Sequence, residues 1–210
     1  MKCKICGTRK ARRYCPGVAA DICSICCGTE REVTVSCPLD CPYLMEARLH
    51  EKTREQEPQG LVHPDVRVTE EFLRDHEPLL LFIGASLLEA SLTTAGVVDS
   101  DVREALDALI RTYRTLQSGL YYETLPSNLL AAGIHQKIQE AIGNLRRDLS
   151  EKGSMSIRDV EILGMFVFLD RVAVHQDNGR PRGRAFIDYL RAVFPMKSDG
   201  PASATSLIQV

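Results

Sequence analysis

Apolar residues recur at helical spacing from Thr69 to Pro195, and this pattern predicts an all-α body of about five to six helices. Thr69 ahead of Glu70 and Glu71 is a good N-cap for the first. Pro78 either kinks that helix or starts a second, which runs to Ala95 and stops at Gly96. A third, capped by Asp99 or Ser100, carries Val102, Ala105, Leu106, Leu109, Ile110, Tyr113, Leu116 and Leu120 at helical spacing. A fourth opens at Ser127, sets Leu130, Ile134, Ile138, Ala141, Ile142, Leu145 and Leu149 on one face, and ends at Gly153. Ser156, with Asp159 three residues on, opens a fifth that holds Ile157, Val160, Leu163, Phe166 and Val167 inside. A short sixth covers Gly183 to Phe194 and stops at Pro195. Gly84, Gly133, Gly143 and Gly164 fall inside these helices at a cost of about 1 kcal/mol each against Ala, which predicts close helix–helix approach there. Tyr121-Tyr122-Glu123 reads as a helix-end packing cluster.

The first 42 residues follow no such pattern. They hold all eight cysteines and few apolar side chains, so they cannot build an adequate core alone. From Asp40, a candidate N-cap, a helix over Cys41–Glu57 is expected, with Tyr43, Leu44 and Ala47 on one stripe and Pro58-Gln-Gly60 as its stop. The expected organisation is a metal-binding finger with a trailing helix over 1–57, a linker over 58–68 that His63-Pro64 keeps extended, a helical domain over 69–196 and a loose tail over 197–210.

Composition narrows the class. The chain has 210 residues, a formal net charge of −2, 44% hydrophobic and 26% charged residues. That is an ordinary globular balance, and it excludes strong electrostatic binding of nucleic acid by the molecule as a whole. No apolar run follows the basic start, and the uncharged stretch Pro78–Leu88 is too short to span a bilayer. A cytoplasmic location without membrane contact is therefore expected. Thiols in a reducing compartment are better read as metal ligands than as disulfides.

The cysteines are Cys3, Cys6, Cys15, Cys23, Cys26, Cys27, Cys37 and Cys41. The two C-x2-C pairs, Cys3/Cys6 and Cys23/Cys26, each place two thiolates on one tight turn, and together they complete a tetrahedral S4 site for Zn²⁺. Cys15, Cys27, Cys37 and Cys41 remain, enough for a second S4 site and a total of two zinc ions per chain. That ligand order interleaves the sites as a cross-brace. One zinc site with four spare thiols, or an iron–sulfur cluster or redox disulfide, are the other readings of the same spacing.

Cys3-x2-Cys6-x8-Cys15 followed by Cys23-x2-Cys26 resembles the start of B-box and HIT-type zinc fingers. Arg13-Tyr14-Cys15-Pro16 and Ile22-Cys23-Ser24-Ile25-Cys26 are similar to HIT-finger phrasing, whereas Val18 stands where a ligand is expected and Cys37 and Cys41 replace the closing His/Cys ligands. The resemblance implies a treble-clef or cross-brace module with two zincs, used for protein contacts or assembly and sometimes near nucleic acid.

Two basic clusters stand out. Lys2, Lys4, Arg9, Lys10, Arg12 and Arg13 lie in the first 15 residues with no acid among them. They either answer the negative charge of Zn(Cys)4 centres or offer an anion or nucleic-acid contact; Tyr14 is the only aromatic in this run, so the interleaved stacking platform expected of a single-strand binder is missing. Arg180, Arg182 and Arg184, on a Gly/Pro turn ahead of a helix, form a candidate anion-binding loop; the plainer reading ties them to Asp170 and Asp177. The histidines are scattered, and His50 reads as a surface or packing residue. There is no P-loop, dinucleotide glycine signature or G-x-S-x-G elbow. The expected function is a non-enzymatic zinc-binding interaction module that engages a protein or a nucleic acid. The rival is a redox or metal sensor acting through zinc thiolates, and behind it an enzyme with its site in the helical domain.

Overall fold

The structure is a computed structural model and describes residues 1–50, 62–120, 122–153 and 156–194. The expected helix beyond His50, its stop at Pro58–Gly60, Tyr121 and the tail from Lys197 lie outside the described residues. The described chain is mainly helical, with one two-stranded sheet. No helix among the described residues is long and apolar enough to cross a membrane.

The N-terminal part contains β1 (Arg13–Cys15) and β2 (Ala20–Ile22), antiparallel with Tyr14 opposite Asp21, then α1 (Ser24–Glu30) and α2 (Pro42–His50). Its interior is the cysteines with Ile22, Val35 and Leu44. The sequence pattern did not reveal α1. Cys41, rather than Asp40, opens α2: its carbonyl accepts the amides of Leu44 and Met45, while Asp40 points away to Arg191 at 2.6 Å.

Six helices follow: α3 (Glu70–Asp75), α4 (Glu77–Thr93), α5 (Asp99–Gln117), α6 (Leu129–Glu151), α7 (Asp159–Gln176) and α8 (Ala185–Val193). Thr69 caps α3 through the amide of Phe72, and Pro78 sits in the first turn of α4, where its missing N–H costs nothing. Asn128, not Ser127, caps α6 by accepting from Leu130; Ser127 donates instead to Glu104. The fifth predicted helix begins at Asp159 rather than Ser156, with the Arg158 amide on Glu161. α5 packs against both α6 and α7, and α4 lies on α6 and α8. Ile83, Leu87, Leu106, Leu109, Ile134, Ile138, Phe166 and Phe186 fill the space between them. Tyr113 meets Phe166 edge-on at 5.4 Å.

The glycines divide. Gly84 lies against the Phe194 ring and Gly164 against the Phe72 ring, so close that a Cβ would sit 2.5 Å from ring carbon. Gly133 and Gly143 face open space. The close approach is thus to aromatic rings and at two of the four positions. Leu120 and Tyr122 are exposed and lie outside the helix, which corrects the packing role expected of them.

The linker expectation also changes. His63 is not extended but left-handed, at φ 53. It is pinned there: its ring meets Arg114 at 3.0 Å and Asp170 at 3.3 Å, and Arg171 donates to the carbonyls of Val62, His63 and Val66.

The N-terminal part is seated on the helices rather than strung beside them. Leu39 enters the helical core. Glu32, fully buried, accepts from the Arg48 side chain at 2.9 Å, the Asn178 amide group at 2.9 Å and the backbone N–H of Arg184 at 3.0 Å. Its own carbonyl accepts the N–H of Arg182 at 2.8 Å. Glu32 is left-handed at φ 53, a conformation that costs about 1–2 kcal/mol for an L residue and that these bonds hold in place.

Candidate metal centre

Two tight turns build the first cluster. Gly7 at φ 67 closes the Cys3–Cys6 turn and donates its N–H to the Cys3 carbonyl at 2.8 Å. Glycine adopts that backbone without a Cβ clash. The second pair uses a helix start. Cys23 is the N-cap of α1, and its Sγ accepts the Cys26 amide at 3.4 Å, so a thiolate sits on the positive end of the helix. Antiparallel contacts bring the turns together, with Lys4 N–H on the Asp21 carbonyl and Arg12 N–H on that of Ile22.

The sulfurs of Cys3, Cys6, Cys23 and Cys26 all lie within 4.8 Å of one another. A tetrahedral zinc site with bonds near ~2.3 Å has sulfur–sulfur edges of about 3.8 Å, so a small contraction around an ion completes it. The four cysteines can hold one metal ion. Their electrostatics agree. The Thr8 hydroxyl, aided by the Arg9 and Thr8 amides, brings the Cys6 thiol down to about 5. The Cys26 amide lowers Cys23. Cys26 itself is pushed up to about 12 by burial and by the neighbouring sulfurs. Four thiols this close cannot all shed protons unless a cation takes their place.

Cys15 at the end of β1, Cys27 on α1, Cys37 and Cys41 at the head of α2 line a second space, a cavity of ≈ 10 Å³ shared with Ile22, Val35, Tyr43 and Leu44. Burial pushes the Cys37 thiol up, and charge on Cys15 and Cys41 pushes the same way. None of the eight cysteines is in a disulfide.

The basic run sorts itself between these clusters and solvent. Arg9 places its charge beside the Cys6, Cys23 and Cys26 sulfurs. Arg13 donates to Cys27 Sγ at 3.6 Å and lies over the Tyr43 ring at 4.1 Å. Lys2, Lys4, Lys10 and Arg12 are exposed.

The arginine loop is engaged elsewhere than Asp170 and Asp177. Arg180 donates to the Arg31 carbonyl at 2.6 Å and Arg182 to Ser36 Oγ at 2.6 Å. Arg184 is drawn inward, and burial lowers its pKa against the charges of Asp99, Glu32 and Asp188. Asp177 instead meets Arg103 and Asp170 meets His63. The Arg180 and Arg182 guanidiniums bond the N-terminal part. His50 is exposed at the end of α2.

Sequence reasoning missed two histidine–carboxylate pairs, His63 with Asp170 and His76 with Glu161 at 3.4 Å. Their partners are about a hundred residues apart in the chain, and no local spacing signals them. Comparison with protein-family models, with curated proteins and with solved structures finds no match to this chain.

Proposed function

We propose that this protein is a non-enzymatic, zinc-stapled interaction module carried on a helical body, in a reducing compartment. The observation that carries the reading is the gathering of Cys3, Cys6, Cys23 and Cys26 within 4.8 Å in a segment whose interior has few apolar side chains other than Ile22, Val35 and Leu44. Such a segment gains its folding energy from metal, worth roughly 10–16 kcal/mol in small zinc modules. A thiolate set without histidine or carboxylate suits Zn²⁺. A closed S4 shell leaves no open position for a substrate, which favours a structural ion.

A second Zn²⁺ is proposed among Cys15, Cys27, Cys37 and Cys41. Among the described residues these four sulfurs are not gathered as closely as the first four, but they line one small cavity, and Arg13 beside Cys27 offers charge balance there. The ligand order is then the interleaved one, in keeping with the resemblance to B-box and HIT-type fingers. Each ion ties a β-strand or N-terminal turn to α1, and the second also ties in α2.

Metal analysis and an absorption spectrum of freshly purified protein test this. Two zinc ions per chain and no visible band are the expected result. A sulfur-to-iron charge-transfer band overturns it, and one zinc per chain removes the second centre alone.

A further inference from the structure

We infer that the basic groove beside the N-terminal sheet, lined by Lys2, Lys4 and Tyr14 with Lys10 paired to Lys2, binds single-stranded nucleic acid. The inference deepens the interaction-module reading and rests on it, since the metal ions hold this face together.

The argument starts from which cations are already used. Arg9 and Arg13 face the cysteine sulfurs. Lys2 and Lys10 are left opposite each other in an antiparallel bridge, flanked by the bonds from Cys3 N–H to Arg9 O at 2.8 Å and from Ala11 N–H to Met1 O at 3.1 Å. In that register they form a close, non-hydrogen-bonded pair with both side chains on one face. Like charges so placed destabilise a sheet, and an anion between them reverses the sign. Lys2, Lys4, Tyr14 and Asp21 line one open groove there. The backbone N–H of Lys4 is bonded to the Asp21 carbonyl of β2, which anchors this edge of the groove.

Tyr14 is 59% exposed and lines the groove with Lys2 and Lys4. A solvent-open aromatic side chain beside lysines offers one stacking plane for a base and contacts for the flanking phosphates. An unstacked strand presents both groups at once; a duplex hides its base faces. An acidic peptide would satisfy the lysines but has no use for the ring. Asp21, opposite Tyr14, sets a limit on affinity because it repels phosphate.

The test is fluorescence anisotropy with the zinc-loaded full chain and short labelled oligouridylate or oligothymidylate, from about 50 mM to about 200 mM salt. Binding should weaken linearly on a log–log plot, with a slope of about −0.7 for each phosphate contacted. The variant Lys2→Gln/Lys4→Gln/Lys10→Gln should flatten the slope by about 2. Tyr14→Ala should weaken binding about tenfold while Tyr14→Phe keeps it. Asp21→Asn should tighten it. Equal binding of a duplex, equal competition by polyglutamate, or no binding to either oligonucleotide at the lower salt overturns the inference. Metal content is measured on the same samples. A metal-loaded chain that does not bind removes this inference alone, and a chain that binds without metal removes the zinc-stapled reading.

Discussion

The carboxylate of Asp99, in the first turn of α5, accepts the backbone N–H of Phe186 at 3.0 Å, in the first turn of α8. Its other oxygen accepts Ile187 N–H at 3.1 Å. Asp99 therefore caps a helix it does not belong to, and the amide of Val98 is left for Asp101. Burial pushes the Asp99 carboxyl up to about 7, and the two amides only partly offset this. Glu32 raises it further, and Arg48 pulls it down.

The first prediction follows from that value. A folded-state pKa above the unfolded one means the native protein binds more protons, so the Asp99 contribution is fully present below pH ~4 and is lost as pH rises toward 7. The stability difference between the native chain and Asp99→Asn should shrink between pH 5 and pH 7, by at most about 1.4 kcal/mol per pH unit. Urea unfolding of both proteins across that range checks it. A gap that widens with pH contradicts the assigned shift.

Metal stoichiometry supplies the second. Cys6→Ser should lower zinc by one per chain and leave Cys15, Cys27, Cys37 and Cys41 loaded; Cys15→Ser should do the reverse. Native mass spectrometry reads the count directly. Should both variants lose the same ion and keep the same other one, the ligand assignment is wrong.

Chelation supplies the third. Because Leu39 and Glu32 are seated in the helical body, stripping the metal should expose residues 1–50 to protease and also lower the melting temperature of the helices. The helical circular-dichroism signal at room temperature should largely remain, since the helical core is otherwise built from residues beyond Val66. Unchanged helical melting after chelation would mean the two parts do not stabilise each other.

Two salt bridges across the same junction should differ sharply. Glu32→Ala removes a fully buried acceptor and leaves Arg48 buried beside Asp188, at a cost of about 3–5 kcal/mol. Asp40→Ala breaks an exposed pair with Arg191 and should cost about 0–1 kcal/mol. Denaturant titrations of the two variants make the comparison, and equal losses would show that burial does not set the difference.

The helix glycines give a paired test. Gly164→Ala forces a methyl group onto the Phe72 ring and should destabilise by about 1–3 kcal/mol. Gly143→Ala meets nothing and should stabilise by up to about 1 kcal/mol through helix propensity. Thermal melts that move in the same direction for both would contradict this.

The helices were legible because a buried stripe repeats: Val102, Leu106, Leu109 and Tyr113 are all buried as their spacing implied. Thr69 is a plain cap, but Ser127 and Asp40 are each drawn off by a tertiary bond, to Glu104 and Arg191, and Asn128 and Cys41 take the helix starts instead. The first cysteine cluster could be read from its two C-x2-C turns because ligand spacing is local. The docking of the arginine loop could not. Glu32 and Arg184 are separated by 152 residues, and a single buried charge leaves no periodic trace in a sequence.

Glu32 also bears on how this protein could have been assembled and altered over time. A small metal-binding segment held on a host only by a flexible tether can be moved between proteins with little adjustment. Here the N-terminal part carries a buried carboxylate whose acceptors are filled by Arg48 from its own side and by Asn178 and the Arg184 backbone from the other. Transplanted to a different helical scaffold, it would arrive with an unanswered charge and a left-handed residue without its supports. A recombinant that exchanges either part alone should therefore inherit a defect at their seam.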